Sequence, residues 1–116
     1  MGHEIDPEDP PWEGCPGCCV NLPGVLNAKV FWAPEGTFVG QIAQVVGFPC
    51  DFFGVLSNNG LTGQLLITFC GGGTPMTTWA WMDSVFNWHY GTVLNNNCYP
   101  KISSIGDDNV KLSTWP

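Results

Sequence analysis

Six cysteines are the residues of this 116-residue chain best suited to chemistry, and three of them, Cys15, Cys18 and Cys19, lie in the stretch CPGCCVNLPG. Thiols at this spacing can ligate a metal, run a redox cycle or start a disulfide framework. A structural zinc site draws four ligands, usually from two cysteine-rich knuckles, and Cys15 and Cys18 would make the first. The second knuckle is missing. Cys50, Cys70 and Cys98 stand alone in or beside apolar stretches, and neither His3 nor His89 sits at knuckle spacing. A redox pair works best at a helix N-terminus, where the dipole lowers the attacking thiol's pKa. Here the segment runs into Pro23-Gly24 and then a strand pattern. Disulfides are therefore the expected fate of Cys15, Cys18, Cys19, Cys50, Cys70 and Cys98, with no metal and no cofactor. Cys18 and Cys19 are adjacent and point to opposite sides of extended chain, so they reach different partners and tie the chain start to strands on either side.

The other chemical candidates are sparse. His89 lies in NWHY among aromatics, with no serine, cysteine or aspartate at a recognisable triad spacing, so a structural imidazole is expected. Asp107, Asp108 and Asn109 lack the further oxygen ligands that calcium needs and form an ordinary turn sequence. No catalytic residue is assigned, and the chain reads as a non-enzyme.

The elements that position these groups have a period of two. In VLNAKVFWA, Leu26, Ala28, Val30 and Trp32 share one face, as in a half-buried strand. TFVGQIAQVVG follows as a second strand. CDFFGVL and LTGQLLITFC flank Asn59-Gly60, a dipeptide that tolerates the positive φ angles of a type I′ hairpin, so the two are expected to pair antiparallel. With Asn59-Gly60 as the loop, Cys50 falls opposite residue 69, and a bulge would bring it to Cys70; that is the first pairing expected. GGGTP then breaks the chain before one long aromatic strand, MTTWAWMDSVFNWHYGTVL, bent near Asp83-Ser84. KISSI and NVKLSTW supply the last strands around GDDN. The expected fold is all-β, an antiparallel sandwich or barrel of about seven strands over residues 15–116, with disulfides. Residues 1–14 form an extended, acidic, proline-rich arm with Trp12 as its anchor.

Charge limits the partners. The formal charge is −7, with three lysines and no arginine against ten carboxylates, so no basic patch can neutralise phosphates and nucleic acid is not an expected partner. No apolar run approaches the ~20 residues of a membrane-spanning helix. The first residues have neither a basic nor an apolar leader segment, which implies synthesis in a cytosol. Six cysteines point instead to an oxidising setting. A component of a virion or other extracellular assembly satisfies both, being made in the cytosol and working outside it.

In the long aromatic strand, Trp79, Trp81 and His89 have one parity, and Ala80, Met82, Trp88 and Tyr90 the other. Both faces are apolar, so one needs a cover. The expectation places the Trp79 and Trp81 face against another polypeptide, with Trp12, Trp79 and Trp81 as interface residues. The alternative is a carbohydrate-binding module that stacks a sugar on Trp79 and Trp81, with a polysaccharide as partner.

The order Cys-Pro-Gly-Cys-Cys, LPGVLNAKV, LLITFC and a Trp-containing strand resembles small Cys-rich β-domain proteins encoded by phage and environmental bacterial genomes. That resemblance covers most of residues 15–90 and implies a structural or binding role. The expected partners are other copies of the chain or other virion proteins, in capsid decoration or a tail.

Overall fold

The computed structural model describes residues 17–116. The expected arm at residues 1–14, with Trp12, and also Cys15 lie outside the described residues. Eight strands follow one another: β1 Val25–Trp32, β2 Gly36–Val45, β3 Phe48–Asn58, β4 Leu61–Thr68, β5 Met76–Met82, β6 Trp88–Leu94, β7 Ile102–Ile105 and β8 Lys111–Trp115. All pair antiparallel in one sheet of order β6-β5-β4-β3-β2-β1-β8-β7. The first six form a meander, and the β7–β8 hairpin then adds to the free edge of β1. The sheet curls into a nearly closed barrel in which β6 and β7 face each other across a seam.

There is one strand more than the sequence count because the long aromatic stretch is a hairpin. Residues 83–87 reverse the chain, with Phe86 at φ 69° and the Asp83 N–H bonded to the Asn87 carbonyl at 2.9 Å. The β3–β4 turn follows the expected chemistry. Asn59 and Gly60 both have positive φ, 48° and 90°, and Asn58 pairs with Leu61.

Alternation along the strands fills the interior. Leu26, Ala28 and Val30 of β1, Phe38 and Ile42 of β2, Phe52 and Leu56 of β3, and Leu65 and Ile67 of β4 are all buried. Trp79 and Trp81 join them, at 3% and 0% exposure. Phe38 meets Trp81 edge-on with centroids 5.0 Å apart, and Phe52 meets Phe69 likewise at 5.4 Å. Two indole rings fit in so narrow a barrel because glycines stand where they need room: a Cβ at Gly63 would overlap the Trp81 ring, and one at Gly91 the Trp79 ring. Gly91→Ala should therefore cost about 1–3 kcal/mol through overpacking. Urea denaturation checks this, and a midpoint equal to wild type would show that Trp79 can move aside.

The seam lacks a backbone ladder, so side chains close it. The Trp79 indole N–H donates to Ser104 Oγ at 3.0 Å, from β5 to β7. His89 on β6 reaches Asp108 in the β7–β8 turn at 2.9 Å.

Candidate functional site

Three constellations stand out, one at each end of the barrel and one on its outer wall. At the end formed by the hairpin turns, the β5–β6 turn places Asp83 beneath His89. His89 Nε2 lies 2.7 Å from Asp83 Oδ2, and Nδ1 lies 2.9 Å from Asp108 Oδ2. Asp83 also accepts from the Val85 and Asn87 N–H groups at 2.9 and 3.0 Å, which fixes the turn. Trp32 packs on the imidazole with ring centroids 4.7 Å apart. Ser84 donates its hydroxyl to Glu35 Oε2, and its N–H lies 3.1 Å from Glu35 Oε1.

Burial opposes charge on His89, but the hydrogen bonds to Asp83 and Asp108 and their negative charge outweigh it, so the imidazole titrates above its ordinary range. Burial likewise pushes Asp83 up, yet its bonds from His89, Asn87 and Val85 and the charge of His89 hold its carboxyl below the ordinary value. The arrangement is a salt-bridged clamp across the seam. With a carboxylate on each ring nitrogen, His89 has no nitrogen left to take a proton from Ser84, whose hydroxyl is engaged by Glu35. The calcium-like Asp107-Asp108-Asn109 run is a 3-10 turn, and Asp108 supplies one arm of the clamp.

At the opposite end four cysteines converge. Cys19 leaves the 3-10 turn Gly17–Asn21 and bonds Cys50 at the start of β3, and Cys70, just past β4, bonds Cys98 in the β6–β7 loop. Cα separations are 5.1 and 5.9 Å, within the usual disulfide range. The expected Cys50–Cys70 pairing is therefore corrected. The register behind it holds, since the Phe69 N–H donates to the Cys50 carbonyl at 2.8 Å. Cys70, however, takes a left-handed conformation (φ 51°) where the chain leaves the sheet, and this turn delivers it to Cys98. Cys18 lies in the same 3-10 turn as Cys19.

The third constellation is the outer wall of β3–β6. Here the face assignment of the sequence reading reverses. Trp79 and Trp81 point into the barrel, where neither another polypeptide nor a sugar reaches them, while Trp88 and Tyr90 are 47% and 54% exposed. The inward face is the one whose bulk is matched by Gly63 and Gly91. On the outside, Phe53, Leu66, Ala80 and Tyr90 form one directly opposed row across four strands, and Val55, Gln64, Met82 and Trp88 form the next. Trp88 and Tyr90 stack with centroids 6.3 Å apart and planes 18° from parallel. Beyond Tyr90 lies a row of Thr68, Thr78 and Thr92, bordering a shallow groove of about 350 Å³. The parity of Trp88 and Tyr90 was visible in the sequence. The choice of face was not, because either set could have filled a core.

Comparison with protein-family models, with curated proteins and with solved structures returned no match. The class of protein is thus defined by the fold and its cross-links: an all-antiparallel, barrel-like β-domain with two disulfides among the described residues. The disulfides are compatible with an oxidising or extracellular location. No helix among the described residues is long and apolar enough to cross a membrane.

Proposed function

We propose that this protein is a non-enzymatic structural subunit of an extracellular assembly, such as a virion decoration or tail-associated component. It acts through contacts with other copies of itself or with other assembly proteins. One observation carries the reading: two adjacent rows of uncharged, largely apolar side chains run over four strands of the outer wall, with Phe53, Val55, Leu66, Trp88 and Tyr90 all substantially exposed. A half-exposed Trp and Tyr with three apolar neighbours offer on the order of 300 Å² for burial. At ~25 cal/mol per Å² that surface is worth about 7 kcal/mol before the cost of ordering two partners is subtracted. The disulfides agree with work outside a reducing compartment, and the acidic charge with a protein partner in preference to nucleic acid.

Light scattering on the eluting protein across a concentration series tests the reading. The wild-type chain should self-associate, or bind its assembly partner, and Trp88→Ser with Tyr90→Ser should weaken that at least tenfold. Thermal stability should hardly change, since both side chains already face solvent. A second reading is favoured by the near-parallel Trp88–Tyr90 stack beside hydroxyl-bearing Thr68, Thr78 and Thr92. These are the groups that bind the flat face and the hydroxyls of a polysaccharide. A wild-type monomer that binds insoluble polysaccharide, and loses binding in the same double variant, would replace the assembly reading with a carbohydrate-binding one.

A further inference from the structure

The cysteine end of the barrel holds more than two separate cross-links. Besides its bond to Cys50, Cys19 places its sulfur 2.8 Å from that of Cys98, the half of the other disulfide that comes from the β6–β7 loop. The sulfurs of Cys19, Cys70 and Cys98 all lie within 4.8 Å of one another, and all three residues are buried. The Cys50 sulfur lies outside this group of three but is joined to it through its bond to Cys19. Tetrahedral zinc held by thiolates has Zn–S distances of about 2.3 Å, which sets the sulfurs about 3.8 Å apart. Three elements separated in sequence thus bring three sulfurs within 4.8 Å of one another, and the start of β3 holds a fourth, that of Cys50, at bonding distance from Cys19.

We propose that in the thiol form of the chain, Cys19, Cys50, Cys70 and Cys98 together bind one zinc ion. Each thiol gives its proton to solvent as a Zn–S bond forms, so one ion enters, four protons leave and no electron moves. The ion ties the 3-10 turn at Gly17–Asn21, the start of β3, the end of β4 and the β6–β7 loop before any disulfide exists. The barrel can therefore close in a reducing compartment, with the disulfides taking over the same cross-links after oxidation. Knuckle spacing did not reveal this site because its ligands come from four places instead of two pairs.

The test uses the full chain, kept reduced by a phosphine, stripped of metal and titrated anaerobically with Zn²⁺ and with Co²⁺. One ion should bind per chain, and four of the six thiols should lose reactivity toward a thiol reagent. The Co²⁺ form should show the intense sulfur-to-metal charge-transfer and tetrahedral d–d bands of a tetrathiolate. Cys15→Ala with Cys18→Ala leaves all four ligands in place and should preserve both the stoichiometry and the spectrum. The oxidised chain should bind no Co²⁺ tetrahedrally. Absence of stoichiometric binding to the reduced wild-type chain, or loss of the tetrathiolate spectrum in the Cys15, Cys18 double variant, would overturn the proposal.

Discussion

Removing the Cys70–Cys98 disulfide by Cys70→Ala with Cys98→Ala should lower the unfolding free energy by about 3–4 kcal/mol. The bond spans 28 residues of sequence, and a loop of that size releases this much chain entropy into the unfolded state when it is opened. The expected fall in melting temperature is roughly 15–25 °C. It also frees the β6–β7 loop. That loop is otherwise held by Thr77, which donates to Asn96 Oδ1 at 2.6 Å, and by the Asn96 amide, which donates to the Tyr99 carbonyl at 3.0 Å. The Cys19–Cys50 bond spans 31 residues, and its loop does not overlap the first. The two losses should therefore add, and reduction with a metal chelator present should come close to unfolding a domain of ordinary stability. Calorimetry of the oxidised, singly deleted and reduced forms measures all three. A loss below about 1 kcal/mol for the double alanine variant would mean that the native bond is offset by strain or by residual structure in the unfolded chain.

The second large effect belongs to the clamp. Asp83→Ala leaves the buried His89 with only the exposed Asp108 and strips two N–H donors of the β5–β6 turn, at Val85 and Asn87, of their acceptor. Breaking a buried ion pair from one side costs about 3 kcal/mol or more. The pH dependence identifies the cause. His89 titrates above its ordinary 6.5, so its contribution is complete below that pH and is lost as pH rises through the folded-state value. Asp83 titrates below its ordinary 3.8, so its contribution is present above that pH and is lost as pH falls through the lower folded-state value. The clamp is strongest between these limits, in mildly acidic solution. Denaturant titrations of the wild type at pH 5 and pH 9 should show a fall with rising pH, and Asp83→Ala should flatten it. An unchanged pH slope in the variant would remove the ion pair as the cause of the seam's stability.

Much of this domain follows from local residue pattern. Period-two alternation marks the strands, Asn59-Gly60 marks a turn with two positive φ angles, and the hairpin register it sets puts Cys50 opposite Phe69. Lack of arginine and an excess of carboxylates likewise set the acidic charge without any coordinates. Local pattern could not choose between two apolar faces of the aromatic stretch, because alternation is symmetric: shifting the assignment by one residue exchanges core and surface. The choice was made by volume. Trp81 has Gly63 beside it on β4 and Trp79 has Gly91 opposite it on β6, and those pairs exist only once β4, β5 and β6 are in register. The same limit applies to the cysteines and the clamp. Cys70 is one residue from the register that would join it to Cys50, but a left-handed turn after β4 sends it to Cys98, 28 residues on. His89 finds one carboxylate 6 residues back and another 19 ahead because the β7–β8 hairpin docks beside β1 and swings its turn across the seam. Strands and turns are local energetic preferences and can be read from neighbouring residues. Partners across the seam depend on how an eight-stranded sheet curls to bury its bulkiest face, and that is a property of the whole chain.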